Sequence, residues 1–381
     1  MDKKNRKRKK GWQRFLTMLL LLLPGLVGGF LIGMYADKAA SGAGAGLGGE
    51  LLLLGLMLLE LYLAVFLQII VHEGGHLICG LISGYTFSSF RIADFMWIKE
   101  NGKIRLRRFS LAGTGGQCLM APPEMKDGKI PVTLYNLGGA LMNLIVSGIC
   151  LAAAFLMEKN SMPAVFFLIM AAIGVVFAVT NGIPLRLGEI DNDGYNAMSL
   201  GKNPDALRAF WVQMQANAQV AKGIRLKDMP KEWFALPSDE AMKNSLIAAV
   251  GVFACNRLMD ERRFEEADVL MKHMLDADTE MPGLYQNLLV CDRMYCEMIR
   301  ENRKEVLDGM LDKQQKKFMK AMKKYPSVLR TEYAYALLVK KDPVKAKSIQ
   351  EAFDKYMQRY PYPSEARAER ELMEKAKEMV Q

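Results

Sequence analysis

Long apolar segments fill the first half of the chain, and amphipathic helical patterns fill the second half. The four apolar segments are residues 15–36, 50–84, 134–157 and 163–185. Each is long enough to cross the hydrocarbon core of a bilayer, which takes about 20 residues of helix. Over residues 205–381, apolar residues recur at helical spacing and prolines separate the segments. The pattern predicts an α-helical polytopic membrane protein with four transmembrane helices, followed by an all-α domain.

The first apolar segment, 15–36, allows two interpretations. Eight lysines and arginines in residues 1–14 precede it, and a linker rich in glycine and alanine follows at residues 37–49. A basic region, an apolar core and small residues also make up a secretory signal peptide. The apolar stretch is longer than a typical signal-peptide core, so we favour a retained accessory transmembrane helix.

Basic residues predict how these segments are oriented. Eight lysines and arginines lie in residues 1–14 and eight in the loop 85–133, whereas the linkers 37–49 and 158–162 carry one each. Because cytoplasmic loops carry the excess of basic residues, the N-terminus, the loop 85–133 and residues 186–381 are predicted to be cytoplasmic in a multi-pass cell-membrane protein. The net charge of +10 therefore indicates contact with the lipid bilayer and does not predict nucleic-acid binding.

The loop 85–133 contains short alternating apolar runs around Phe90, Trp97 and Ile104. Asn101-Gly102 lies between the last two runs and is a strong signal for a tight hairpin turn. The loop therefore predicts a small membrane-associated β element, with a plain cytoplasmic loop as the alternative.

The charged region 205–381 shows traces of a helical repeat. Residues 263–267 (RFEEA) and 342–346 (DPVKA) each precede an apolar-periodic helix and resemble parts of tetratricopeptide helix pairs. Their spacing of 79 residues is not a multiple of the 34-residue repeat, so an unspecialised helical bundle is the alternative. We expect this cytoplasmic, tetratricopeptide-like region to bind a protein partner.

His72, Glu73 and His76 form an HExxH sequence in the second apolar segment. On a helix, positions i and i+4 share a face, so two imidazoles can bind one zinc ion while the glutamate acts as a general base toward water. Ionisable groups inside a membrane are costly and persist where they are paired or bind metal. Two histidines leave a catalytic zinc site one protein ligand short. His273 lies far away in the charged half, so a carboxylate after the fourth segment is the candidate third ligand.

The sequence resembles the site-2 proteases, a family of intramembrane zinc metalloproteases. That family carries HExxH on the first of three core helices and a second motif, N-x-x-P followed by Asp-Gly, near the end of the third. Here Asn181 and Pro184 are followed by Asp193-Gly194. The resemblance covers about residues 50–195 and implies an intramembrane metalloprotease core.

The resemblance also implies the residues of a Zn²⁺ site. These are the ligands His72, His76 and Asp193 and the catalytic Glu73. The twelve residues from Asn181 to Asp193 exceed the spacing expected for the family, and residues 186–190 look inserted. Asp191 and Glu189 therefore remain alternative third ligands.

Residues that bind substrate are implied in the same way. The segment 113–116 resembles the loop that the family uses as an edge strand for an extended substrate, and residues 137–143 resemble its small-residue helix with a following asparagine. Strand addition suits a protease, because a helical substrate must unwind before a peptide bond can be attacked. The implied substrate-binding residues are Asn181, Asn143, Gly115 and Gly116. For Asn181, a helix-terminal cap is the equal alternative.

We therefore expect a zinc metalloendopeptidase that cuts transmembrane segments of other proteins near the cytoplasmic face. The alternative is a catalytically silent, membrane-anchored protein that acts through its helical cytoplasmic domain. A membrane metal transporter or sensor is a third hypothesis. It would need further intramembrane acidic or histidine residues along a path, and the sequence offers only Glu60.

Overall fold

The computed structural model describes residues 22, 25–30, 33, 47–100, 102–109, 114–159, 161–187 and 190–380. The predicted basic N-terminus and most of the first apolar segment lie outside these residues, although residues 22, 25–30 and 33 are helical. Four transmembrane helices and the Gly/Ala-rich linker therefore stay predictions.

Among the described residues, three helices are long and apolar enough to span a membrane, which confirms the second, third and fourth predicted segments. They are α1 (Leu47–Ile82), α2 (Thr133–Leu156) and α3 (Met162–Gly182). Helix α1 ends two residues earlier than predicted because Gly84 turns the backbone with a φ of 82°. Helix α3 ends three residues early because Pro184 disfavours helix in the residue before it.

These three helices pack through small residues and a shared apolar cluster. A Cβ at Gly138 would lie only 2.8 Å from the Cβ of Cys79, so the glycine lets α2 approach α1 closely. Deeper in the bundle, Met57, Cys150 and Ile169 belong to one buried cluster. Outward-facing leucines and phenylalanines such as Leu52 and Phe155 stay exposed, as expected of surfaces that face lipid.

A small antiparallel sheet follows α1, as predicted. Its strands β1 (Thr86–Ile92), β2 (Phe95–Glu100), β3 (Lys103–Arg108) and β4 (Gly116–Ala121) have the order β3-β2-β1-β4. Glu100 pairs with Lys103, and Gly102, which lies between them, has a φ of 78°. Asn101 lies outside the described residues.

The segment that appeared inserted after α3 forms a hairpin of its own. Strands β5 (Arg186–Leu187) and β6 (Ile190–Asp191) pair antiparallel, and helix α4 (Asp193–Ser199) follows. The Asn192 amide then donates to the Leu185 carbonyl at 3.2 Å. The extra residues therefore loop out and return the chain beside the end of α3.

The chain divides into two compact units. The first contains α1–α4, and the second contains the described residues of 94–109, 119–122 and 204–380. The β2–β3 hairpin falls in the second unit, whereas we predicted the whole loop 85–133 as part of the membrane core. Its buried Met96 and Ile98 pack in a cluster with Ala221, which belongs to the second unit.

The second unit is almost entirely helical. Its helices are α5 (Pro204–Ala221), α6 (Ser245–Asp260), α7 (Phe264–Asp276), α8 (Gly283–Ile299), α9 (Lys304–Met310), α10 (Lys313–Ala321), α11 (Pro326–Ala334), α12 (Pro343–Met357) and α13 (Pro363–Glu378). Prolines occupy the first turn of α11, α12 and α13, and Asp342 caps α12 by accepting from the Lys345 amide. Helices α7 and α12 begin where the two repeat-like motifs predicted them. A tetratricopeptide assignment stays a prediction.

Candidate metal centre

Helix α1 places His72 and His76 one turn apart on the same buried face. Each residue is 8% exposed, and their Nε2 atoms lie 3.1 Å apart. The Oδ2 atom of Asp193 lies 3.1 Å from Nε2 of His72 and 3.3 Å from Nε2 of His76. Within the described part of the chain, these three residues form the group of histidine, cysteine and acidic side chains that could hold a metal ion.

Asn192 holds the neighbouring Asp193 in position. Its Oδ1 accepts from the amides of Leu185 and Tyr195 at 3.0 and 2.9 Å. Its Nδ2 donates to the carbonyls of Thr180 and Ile183 at 2.8 and 2.7 Å. One buried side chain thus caps α4 and ties it to the end of α3.

Gly194 completes this junction between α3 and α4. A Cβ at Gly194 would lie 2.6 Å from the carbonyl carbon of Gly182 and 2.9 Å from that of Ile183. A larger residue would therefore push α4, and Asp193 with it, away from α3. This packing is a physical reason for the Asp-Gly pair.

A chain of hydrogen bonds determines which nitrogen of His72 carries its proton. The Met170 carbonyl can only accept, so Gln68 Nε2 donates to it at 2.8 Å and Gln68 Oε1 accepts from Asn143 Nδ2 at 2.7 Å. Asn143 Oδ1 must then face His72 Nδ1, at 2.8 Å, and accept its proton. Neutral His72 therefore keeps a lone pair on Nε2.

His76 is oriented by a backbone carbonyl. Its Nδ1 lies 2.9 Å from the Tyr135 carbonyl oxygen, which can only accept, so Nδ1 is the donor. The Tyr135 hydroxyl donates to the Cys118 carbonyl at 3.1 Å, and its ring stacks on Tyr85. These contacts hold the acceptor in place and leave Nε2 of neutral His76 as an acceptor too.

The resulting donor set fits a metal ion such as zinc. Two imidazole nitrogens and one carboxylate oxygen converge within 3.3 Å, and three acceptors this close need a proton or a metal ion between them. Zinc ligands at roughly 2.0–2.2 Å from the ion lie about 3.3–3.6 Å apart in a tetrahedron, a few tenths of an ångström from these separations. Burial disfavours a charged Asp193, and protons on the facing histidine nitrogens hold its pKa well below the usual range. A metal ion bound to the same three atoms would replace those protons and keep Asp193 ionised.

Two glycines of α2 leave room for this face of α1. A Cβ at Gly139 would lie 2.6 Å from Nδ1 and 2.7 Å from Nε2 of the His72 ring. A Cβ at Gly138 would reach the backbone of Gly75, 3.0 Å from its carbonyl carbon. The consecutive glycines therefore make space for the HExxH helix, and the absence of a side chain at Gly139 leaves room for the His72 ring.

Glu73 lies against the start of β4. A Cβ at Gly116 would be 2.8 Å from Oε1 of Glu73, and a Cβ at Gly115 would be 2.9 Å from Cδ1 of Ile69, one turn earlier on α1. The Glu73 carboxylate also lies close enough to both histidines, Asp193 and Arg91 to interact with them electrostatically. The predicted Gly115-Gly116 segment and the predicted general base are thus brought together.

Arg91 anchors the same segment from the other side. This side chain is 1% exposed, and its Nη1 donates to the Ala93 carbonyl at 2.8 Å. Its Nη2 donates to the Thr114 hydroxyl and to the Gly116 carbonyl, the latter at 3.3 Å. A buried guanidinium therefore orders the chain beside Glu73.

Two predicted substrate-binding asparagines make hydrogen bonds within the fold. Asn143 is fully buried, and its side chain bonds to His72 and Gln68. Asn181 donates to the Phe177 carbonyl of its own helix at 2.9 Å, as a helix-terminal residue does. Asp191 is outside the metal-binding group, and Glu189 lies outside the described residues.

Several residues of the site escaped the sequence analysis. Gln68 could have been noticed, because a glutamine in an apolar helix requires polar partners. Asn192 could also have been noticed, because asparagine is a preferred residue at a helix N-cap. Tyr135 contributes a backbone carbonyl, which no side-chain pattern reveals, and Arg91 resembled an ordinary loop residue.

No protein-family model, curated protein or solved structure shows a significant match to this chain. The geometry around His72, His76 and Asp193 and the motifs that contain them are therefore the features that indicate a function.

Proposed function

We propose that this protein is an intramembrane zinc metalloprotease of the site-2 type. The observation that carries the proposal is the convergence of His72, His76 and Asp193, with neutral Nε2 atoms facing a carboxylate. The two histidines lie on a helix that is long and apolar enough to span a membrane. Its substrate would be a peptide bond in or near a transmembrane segment of another protein.

The residues divide the chemistry between them. His72 Nε2, His76 Nε2 and Asp193 Oδ2 would hold the zinc ion, and Asn143 and the Tyr135 carbonyl keep both imidazoles in the required tautomer. When bound, zinc supplies a Lewis acid that polarises a carbonyl and lowers the pKa of water. Glu73 would take the proton from the attacking water on its carboxylate and deliver it to the leaving amine nitrogen.

The chain beside Glu73 suits the binding of an extended substrate. Strand β4 is the last strand in the sheet order and begins at Gly116, against the Glu73 side chain. A substrate segment that unwinds can add to such an edge through main-chain hydrogen bonds, which would bring its backbone to the general base. Gly115 and Gly116 would bind substrate in this way, and Asn181 would do so from the end of α3.

The proposed cellular arrangement follows the predicted orientation. The protein would lie in the cell membrane with four spans and with its N-terminus, active-site side and residues 205–381 in the cytoplasm. The cytoplasmic helical region would recruit a protein partner. Its partners would otherwise be the membrane-protein substrate and the lipid bilayer.

The decisive experiment replaces Glu73 by glutamine. Membranes from cells that produce the wild type, Glu73→Gln or Glu60→Gln are compared by mass spectrometry for peptide termini inside transmembrane segments. Glu60→Gln is the matched control, because Glu60 lies on the same helix and outside the metal-binding group. We expect Glu73→Gln to lose such termini by about 10²–10⁴-fold, the usual contribution of a general base, while it retains zinc.

Two outcomes would contradict the proposal. The first is the same set of cleaved transmembrane segments with Glu73→Gln as with the wild type. The second is a wild type that binds zinc and produces no such termini, which would favour the catalytically silent binding protein.

A further inference from the structure

The second unit encloses a cavity of about 280 Å³. Its walls come mainly from α5, α6, α8, α11 and α13. Two arginines, four carboxylates and six aromatic side chains line it. Each charge in so polar a cavity needs a counter-charge or a hydrogen-bond partner.

Both arginines are balanced by carboxylates. Arg330, with a fully buried side chain, pairs with Asp292 and with Glu369, the latter at 2.9 Å. Arg225 pairs with Asp260 and with Glu371, the latter at 2.6 Å. Each guanidinium therefore already has two carboxylate partners and leaves no positive charge for a third.

Glu365 is the exception among the lining carboxylates. Within the described part of the chain, it has no lysine, arginine or histidine partner, and its Oε2 accepts from the Tyr360 hydroxyl at 2.8 Å. Burial and the nearby Glu369 and Asp292 raise the pKa of Glu365 to about 7. The cavity wall thus holds a carboxylate that lacks a cation.

Aromatic rings surround this carboxylate. Phe109, Tyr360 and Tyr362 form a cluster of edge-to-face contacts, with ring centroids 5.8–6.0 Å apart. Tyr285 and Tyr325 also line the cavity, and the Tyr325 hydroxyl is close enough to Glu365 to interact with it. The faces of such rings attract ammonium and guanidinium groups.

The cavity also offers hydrogen-bonding groups that no protein atom uses. Among the described residues, the side chains of Asn217, Asn256, Tyr285 and Tyr325 line the cavity and have no hydrogen-bond partner. These side chains offer donors and acceptors to the polar groups of a ligand.

We propose that this cavity binds a basic amino-acid side chain, ammonium or guanidinium, together with a carbonyl oxygen of the same residue. Glu365 and the tyrosine rings would hold the cation. Asn217 and Asn256 would bind the carbonyl oxygen and the other polar groups of the ligand backbone. The volume lies at the low end for ligand pockets, which are about 300–1,000 Å³, and suits one residue rather than a long segment.

The chemistry argues against other ligands. A phosphate or other dianion would meet the carboxylates of Glu365, Glu369 and Asp292, with both arginines already paired. A purely apolar ligand would leave Glu365 without a cation and the two asparagines without partners. A basic group with a nearby carbonyl oxygen provides a partner both for Glu365 and for the two asparagines.

Binding can be measured on the purified full chain in lipid nanodiscs by isothermal titration calorimetry. The probes are free L-arginine and the blocked tripeptide acetyl-Gly-Arg-Gly-amide, which distinguish a free amino acid from a peptide residue. The same tripeptide with citrulline, a neutral isostere of arginine, tests the need for charge. We expect saturable binding of at least one arginine probe and at least 10-fold weaker binding of the citrulline peptide.

Matched variants test the assignment to Glu365. Glu365→Gln keeps an acceptor for Tyr360 and removes the charge, so we expect at least 10-fold weaker binding of the arginine probe. Glu374→Gln changes an exposed glutamate of the same helix and should bind as the wild type does. Tyr325→Phe keeps the ring and should weaken binding only a few-fold. Circular dichroism verifies that each variant is folded.

Three results would overturn the proposal. They are no saturable binding of either arginine probe by the wild type, equal binding of the citrulline peptide, and undiminished binding by folded Glu365→Gln. None of these measurements depends on proteolysis or on zinc, so the proposal stands or fails separately from the proposed function.

Discussion

The two units of the protein each bury a set of anionic or lone-pair acceptors, and they balance them differently. In the first unit, three acceptor atoms of His72, His76 and Asp193 converge within 3.3 Å, and no lysine or arginine of the described chain pairs with Asp193. In the second unit, arginines pair with the lining carboxylates except Glu365. Each unit is therefore short of a cation at one point.

The spacing of the acceptors decides which cation fits. Separations near 3.1–3.3 Å match the edge of a zinc coordination tetrahedron and leave no room for an organic group. The cavity around Glu365 has about 280 Å³ and aromatic walls, which match an ammonium or guanidinium group that binds rings within about 6 Å. The same electrostatic deficit thus predicts an inorganic ion in one unit and an organic cation in the other.

The largest effect should come from removing a ligand of the first site. His72→Ala or Asp193→Asn leaves two protein donors, so we expect zinc affinity to fall at least 100-fold. Competition with a fluorescent chelator measures the affinity of protein in nanodiscs. His273→Ala is the control, because His273 is an exposed histidine that pairs with Asp239. Wild-type affinity in Asp193→Asn would show that the three acceptors do not form the metal site.

A second prediction tests how tightly the helices must pack to bring these acceptors together. In Gly75→Ala the new methyl group would overlap the Gly138 carbonyl, whereas the same change at Gly74 meets open space. We expect Gly75→Ala to lose about 2–3 kcal/mol of stability and to bind zinc weakly. Gly74→Ala should be neutral or slightly stabilising, because alanine favours helix. Thermal unfolding and zinc content are the measurements, and equal behaviour of the two variants would contradict the close α1–α2 contact.

Local patterns predicted the first site far better than the second. His72 and His76 follow from an i, i+4 spacing on one apolar helix, and the resemblance to a protease family added Asp193. Asn143 was predicted to bind substrate, and its contact with Gln68, 75 residues away, could not be read from the sequence. The residues 186–190 appeared to disrupt the motif, since pairing of β5 with β6 is not visible in so short a segment.

The cavity could not be predicted from the sequence at all. Its balance depends on pairs such as Arg225 with Glu371, which are 146 residues apart. In the sequence, each of these charged residues follows the pattern of a solvent-exposed position on an amphipathic helix. Only the packing of α5, α6, α8, α11 and α13 shows which carboxylate, Glu365, is left without a cation.

The pH dependence of stability is the most specific test of the contrast between the two units. A carboxylate without a counter-cation, such as Glu365, should destabilise the folded protein when it ionises. The ordinary pKa of Glu365 is 4.5, and the folded state raises it to about 7. The groups that face it are Tyr360, Tyr325, Glu369, Asp292 and Arg330. Below pH 4.5 both states bind the proton, and between these values only the unfolded state releases it. The contribution of Glu365 to the stability of the wild type should therefore fall as pH rises from 4.5 and level off above pH 7.

Glu365→Gln cannot ionise, so it should gain stability relative to the wild type over that window, by about 3 kcal/mol at pH 8 and by little at pH 4.5. Thermal unfolding at both pH values measures the difference, with Glu374→Gln as the pH-independent control. A saturating concentration of the arginine probe at pH 8 should narrow the difference by at least about 1.4 kcal/mol, because the wild type binds the probe at least 10-fold more tightly. A variant that is less stable than the wild type at pH 8 without ligand would mean that Glu365 already has its cation within the fold, and the contrast between the two units would disappear.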